Sequence, residues 1–305
     1  MSMTRARRLV VLMAKNDYAG ILWKLRCAIN RHSHRYRAIH IAFDPNLFAY
    51  PIEIMGTPPH IGYINELLGR ASCIILKDFD LNGFLLPSAI KVQPEKCIWY
   101  GVGCNYRYIQ NNPVFDKYRF RFVSTIDMKR RDDDVYLPAP YDTDNHNYIE
   151  KSMDGKIILL HTPSDQQKGT QVVHNAISGI LDKYTHVEYL EISNRVNSYT
   201  VNEKKKAHIF IDQMGKYHIL GYNSIEAAAF GSAVVTDKRH DTDNPAIHAE
   251  PETLESVLAE LIQNPARIIQ NGRDMREWVV KKHGYANAYS VLEPYIDQIV
   301  SEGCK

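Results

Sequence analysis

Residues 157–170 read IILLHTPSDQQKGT. Four apolar residues run into His161, as expected of a short buried strand. A polar loop follows, and Lys168-Gly169 stands just before a helical pattern that begins near Thr170. Strand, loop and helix bring together a compact positive charge, a residue without a side chain, and a helix N-terminus whose unpaired N–H groups favour anions. That combination suits a diphosphate. A solvated lysine at a helix start would give the same letters.

The alternation extends outward from this stretch. Strands are expected over 186–192, 207–212 and 233–236, with helices over 171–184, 224–230, 252–263 and 265–282. The first half repeats the theme with RLVVLMA at 8–14, RAIHIAF at 37–43, SCIIL at 72–76, KCIWY at 96–100 and FRFVS at 120–124, and a helix over 21–31. Short apolar strands separated by longer connections indicate an α/β protein with mostly parallel sheets covered by helices. Pro138, Pro140 and the irregular YDTDNHNYIEKSMDG at 141–155 mark a linker. The expected division is two Rossmann-like domains, 1–145 and 146–305, with a last helix near 289–300 packing back on the first domain. In open parallel sheets, ligands bind outside the carboxyl ends of the strands, so the cleft between two facing sheets is the expected site.

A second informative stretch is IFIDQMGKYHILGYNSIEAAAFGSAVVT at 209–236. Glu226 is the one acidic residue of a small-residue helix, near its N-terminus, where a carboxylate is electrostatically favoured. It could accept hydrogen bonds from a ribose diol or merely favour the helix start. Gly221, Asn223 and Ser224 precede it and could offer N–H groups to a phosphate, or cap the helix.

Together, HTPSDQQKGT and DQMGKYHILGYNSIEAAAFGSAVVT resemble the donor-binding half of a GT-B glycosyltransferase, most similar to the retaining group that includes glycosyltransferase family 4. NDYAG, after the first strand, resembles the glycine-containing acceptor-side loop, and YGVGCNYR, STIDM and VYLPAPYDTD fall where such proteins carry comparable segments. The resemblance implies a two-domain GT-B fold and a retaining, metal-independent transfer from a UDP- or GDP-sugar, with no permanently bound cofactor. Lys168 would bind the diphosphate, Glu226 the ribose, and Gly20 would lie beside the phosphates or transferred sugar. Ser164, Gly169, His218, Gly221, Asn223 and Ser224 complete the expected donor site. Lys168 is the leading catalytic candidate, through stabilisation of the leaving group. Asp17 and His161 are candidates for proton transfer, as is Asp127 in STIDM, and each also suits a structural role.

Two departures from the family pattern stand out. No basic residue lies among Ser164, Asp165, Gln166 and Gln167. His218 occupies the position eight before Glu226, where the family has a glutamate. A non-catalytic nucleotide-sugar or glycan-binding module is therefore an alternative, and a sugar-nucleotide epimerase, which shares the two-domain plan, is another.

Composition narrows the remaining classes. The 305 residues are 45% hydrophobic and 24% charged, within the globular range, with 37 basic and 35 acidic residues. A net charge of +2 gives no bulk attraction to nucleic acid or an anionic membrane. Five cysteines without a C-x-x-C pair fit a reduced, cytoplasmic setting. No apolar run approaches the roughly 18 residues of a membrane span. The N-terminal MSMTRARR lacks the apolar core of a signal peptide. Asp142-Thr143-Asp144 and Asp241-Thr242-Asp243 match a short metal-binding tripeptide that is common by chance, and the 13 histidines show no zinc spacing. The aromatic and basic stretch 106–131 suits either an anionic acceptor or peripheral contact with an inner membrane face, or a solvated surface balanced by Asp132–Asp134. The acceptor, whether glycan, lipid-linked or other, stays open.

Overall fold

A computed structural model describes residues 6–77, 87–164, 166–238 and 243–302. The chain forms two compact units, 1–140 with 285–305, and 141–284. The division falls at Pro140, where the second of two closely spaced prolines limits continuation of secondary structure.

The first unit contains β1 (Arg8–Asn16), α1 (Ile21–His32), β2 (Tyr36–Asp44), β3 (Ile54–Met55), α2 (Ile61–Arg70), β4 (Cys73–Lys77), β5 (Cys97–Gly101), α3 (Gly103–Ile109), β6 (Phe120–Val123) and β7 (Val135–Tyr136). Among the described residues the sheet order is β3-β2-β1-β4-β5-β6-β7, with every pair parallel. The apolar runs of β1 and β4 occupy the sheet centre, and Val10–Ala14 and Ile74–Leu76 have no solvent exposure. Burial on both faces is why these strands read as continuous rather than alternating hydrophobic segments.

The second unit contains β8 (Ile157–His161), α4 (Thr170–Lys183), β9 (Val187–Glu191), α5 (Asn197–Lys206), β10 (Ile209–Ile211), α6 (Tyr222–Ala229), β11 (Ala233–Thr236), β12 (Ile247–His248), α7 (Leu254–Gln263) and α8 (Pro265–His283). Its parallel sheet has the order β12-β11-β10-β8-β9. In both units the order reverses beside the first strand, between β1 and β4 and between β8 and β10. Such reversals open the crevices in which ligands of open α/β sheets bind.

The last helix, α9 (Tyr285–Glu302), belongs to the first unit. Arg35, just after α1, donates to Glu293 and Asp297 at 2.5 and 2.8 Å, and the Tyr295 ring meets Phe120 and Phe122 edge-on. Elements absent from the sequence reading are β3, α2, α3, β7, α5 and β12. In α2 the buried Ile64, Leu67 and Leu68 do have helical spacing, but Gly62 and Gly69 dilute it. In α5, NSYTVNEKKK has no apolar stripe at all.

Burial keeps several imidazoles neutral. His208 accepts the Ile158 N–H on Nδ1 at 3.0 Å and faces the Ser152 carbonyl through Nε2 at 2.8 Å, which requires the Nε2–H tautomer. Burial lowers its pKa from the ordinary 6.5, and does the same for His40 and His161. Because the folded state resists protonation, this stabilisation is complete above about pH 6.5 and is lost as the pH falls below it. The thermal unfolding midpoint should therefore hold steady near pH 7 and drop between pH 6.5 and 5. A midpoint that rises on acidification would contradict this.

Candidate donor site at the strand ends of the second unit

Pairing of Ile211 with both His161 and Val235 aligns the C-terminal ends of β8, β10 and β11 at one sheet edge. The loop after β8 and the loop after β10 latch together there. The Met214 N–H donates to the Lys168 carbonyl at 3.0 Å, and Gln167 Oε1 accepts from both Lys216 and Tyr217. Gly169 caps α4 at φ 75°, and a Cβ there would lie 2.0 Å from the Met214 carbonyl oxygen. Only glycine satisfies both the left-handed backbone and the close approach.

Lys168 is half-buried, and its Nζ donates to Gln213 Oε1 at 3.1 Å. Gln213 is buried; it donates to the Ile219 carbonyl through Nε2, and its own carbonyl accepts from Thr236 Oγ1 and the Asp237 N–H. His218 Nδ1 lies 2.7 Å from Asp237 Oδ2. Lys168, Gln213, His218 and Asp237 thus form one connected polar network. Ser164 is exposed on the loop before Lys168.

The N-terminus of α6 is bound into the same edge. Asp212 accepts the Gly221 N–H at 2.5 Å, and a Cβ on Gly221 would come within 2.8 Å of that carboxylate. The Gly221 amide is therefore committed inside the protein. Asn223 donates from Nδ2 to the Thr162 carbonyl and accepts from Lys204 Nζ at 2.8 Å. The hydroxyls of Ser224 and Thr162 are buried with no hydrogen-bond partner among the described residues. Two such groups lie beside one helix start, and each is costly to leave unmet.

Glu226 is 1% exposed, and its Oε2 lies 2.6 Å from Nζ of the fully buried Lys204 on α5. Asn197 approaches the same carboxylate at 3.3 Å. The acidic residue expected to meet a ribose is thus already half of a buried ion pair. Lys204 was missed in the sequence because KKK at 204–206 reads as a solvated run.

His161 and Asp17 have internal partners. The His161 ring spans the Ile211 carbonyl and Thr170 Oγ1, tying β8 to β10 and to the start of α4. Asp17, in the first unit, is 1% exposed and accepts the N–H groups of Leu22 and Trp23 at 3.2 and 3.0 Å, capping α1. His40 Nε2 and Lys77 Nζ lie 3.5 and 4.0 Å from the same carboxylate. Gly20, at φ 61°, starts α1 against the Tyr50 ring. Asp127 is paired with Arg107, whose guanidinium holds the carboxyl below its ordinary pKa despite an opposing burial effect. Asp142 accepts from the backbone and side-chain nitrogens of Asn145 as a turn residue. Asp241 and Thr242 lie outside the described residues, as do Asp165 and Cys304. Among the described residues no cluster of three or more His, Cys, Asp or Glu could hold a metal, and no helix is long and apolar enough to cross a membrane.

This two-unit plan is the GT-B fold, shared with glycosyltransferases and related sugar-nucleotide enzymes. Anabaena Alr3699/HepE in complex with UDP and glucose superimposes with a TM-score of 0.65 at 9% identity, covering 96% of this chain and 100% of that one. A glycosyltransferase from Rickettsia africae gives 0.62 at 10% identity over 97% and 99% of the two chains. A putative UDP-N-acetylglucosamine 2-epimerase from Listeria monocytogenes gives 0.60 at 10% identity over 97% of each. No protein-family model matches the sequence, and no curated protein is significantly similar to it.

Removing one member of a buried ion pair leaves the other charge without its partner and typically costs about 3–5 kcal/mol. Glu226→Leu and Lys204→Met should each lower stability by that order in urea unfolding. The double variant Lys204→Met/Glu226→Leu should recover most of the loss. Additive losses in the double variant would contradict the pairing.

Proposed function

We propose that the protein is a glycosyltransferase that takes a nucleotide diphosphate sugar as donor and binds its diphosphate at the strand-end edge of the second unit. What supports this reading is that Lys168, on the loop after β8, and the start of α6 with the buried hydroxyls of Ser224 and Thr162 all belong to segments at the strand-end edge beside the β8/β10 reversal. Gly169 and Gly221 let backbone approach closely, and Ser164 borders the site. Lys168 supplies the mobile cation that offsets charge developing on the leaving diphosphate. Glu226, oriented by Lys204, is assigned the ribose.

In the reaction proposed, the bond from sugar C1 to the β-phosphate oxygen breaks, and the acceptor oxygen bonds to C1 on the same face. The acceptor proton passes to the departing diphosphate. This retaining, metal-independent route asks the protein chiefly for position and charge stabilisation. It also suits a site where Asp17 and His161 are engaged internally. The first unit, with Gly20 beside its sheet reversal, is assigned the acceptor, whether glycan, lipid-linked or other. The likeness to an epimerase supports a second reading, in which the same donor site serves isomerisation of the nucleotide sugar.

Calorimetric titration with UDP, GDP and ADP in EDTA tests the donor site. One nucleotide should bind, and Lys168→Ala should weaken it roughly 10- to 100-fold, as expected for a lost charged hydrogen bond. Binding unaffected by Lys168→Ala, or absent for all three, would overturn the assignment. Incubation of the sugar conjugate without acceptor separates the two readings, since only an epimerase yields a new nucleotide sugar.

A further inference from the structure

We infer that the first unit carries a separate anion site at the N-terminal ends of β1 and β2, which takes a phosphate ester through Arg8 and His34. The site stands whether or not the donor-site reading does.

It is a cavity of about 560 Å³ bounded by the start of β1, the turn that joins α1 to β2, and the last turns of α9. That volume is within the range of small-molecule pockets. Its place in the fold sets it apart from the crevice at the first sheet's reversal. β1 runs nine residues from Arg8 to Asn16, so at about 3.3 Å per residue its two ends are roughly 26 Å apart. The crevice lies at the Asn16 end and the cavity at the Arg8 end. Neither the donor edge, which belongs to the other unit, nor the crevice assigned to the acceptor accounts for it.

The walls are braced by the protein itself. Ser33 Oγ accepts the N–H groups of Arg35 and Tyr36 at 3.2 and 2.8 Å and lies 2.7 Å from the Tyr289 hydroxyl on α9. Asp297, also on α9, accepts from the Tyr36 hydroxyl and from Arg35. The turn that carries His34 is thus tied to α9.

The charges do not cancel. Asp297 and the neighbouring Glu293 are both met by Arg35. Arg7 turns its guanidinium to the Asn30 and Ser33 carbonyls. Arg8 and His34 line the cavity, and neither has a carboxylate partner or a side-chain hydrogen bond among the described residues. Arg8 is also half-buried, which weakens the screening of its charge by water. A guanidinium presents a planar fork of donors that matches phosphate oxygens, and an imidazole offers an N–H in either tautomer. One phosphoryl group has enough acceptor oxygens for both. Val300 adds apolar wall for the rest of the molecule.

The test is calorimetric titration of the full chain with inorganic pyrophosphate, in the Lys168→Ala background so that the donor site contributes little. Saturable binding is expected. Arg8→Gln should weaken it roughly 10- to 100-fold, as for a lost charged hydrogen bond, and His34→Ala roughly 3- to 10-fold. Asp297→Asn, which takes a negative charge out of the lining, should bind at least as tightly. Arg8→Gln keeps the backbone bond from residue 8 to the Arg35 carbonyl, and an unchanged thermal midpoint reports its folding. Flotation with phosphatidylcholine vesicles, with and without phosphatidic acid, separates two sources of the ester. Flotation that requires both phosphatidic acid and Arg8 assigns the site a lipid headgroup, and pyrophosphate binding without flotation assigns it a soluble ester. Absence of pyrophosphate binding at millimolar concentration, or equal binding with and without Arg8→Gln, overturns the site.

Discussion

The ion pair between Lys204 and Glu226 governs the start of α6 and, through it, the strand-end edge of the second unit. Both side chains are out of solvent, so neither charge has water to fall back on. Lys204 also holds Asn223, which in turn holds the carbonyl of Thr162 just after β8. One buried ammonium thus fixes α5, α6 and the end of β8 relative to one another. Its energetic value lies less in net stability than in specifying a single arrangement, because an alternative packing would leave a buried charge unmatched.

A second constraint acts on the opposite side of that edge. Gly169 packs against the Met214 carbonyl, and the Gln213 side chain joins Lys168 to the loop that carries His218. The loop after β8 and the loop after β10 are therefore tied together through Gln213 and the Met214 amide. Asp212 and Asp237, both buried, serve as backbone and ring anchors.

Much of the fold was legible because buried parallel strands write themselves as continuous apolar runs. RLVVLMA, SCIIL and KIILLHT each became central strands, and the reversal beside β8 placed KG where a ligand loop belongs. Elements with weak patterning escaped, notably α5, whose lysine run conceals one buried residue among exposed neighbours. The site was only partly readable for a related reason. Residue type pointed to Lys168, Gly169 and Glu226. The partners that define the surroundings of Lys168 and Glu226, Gln213 and Lys204, lie far away in sequence and carry no local signal. Asp17 and His161 were suggested by position after a strand, yet a carboxylate capping a helix and an imidazole joining two strands occupy those same positions.

The most direct measurement is a crystal structure of the protein soaked with the nucleotide diphosphate that binds in solution. The diphosphate is expected within hydrogen-bond reach of Lys168 Nζ and the α6 N-terminus, with the Ser224 or Thr162 hydroxyl donating to it. Density for the diphosphate elsewhere, with Lys168 still on Gln213 and both hydroxyls unmet, would contradict the donor site.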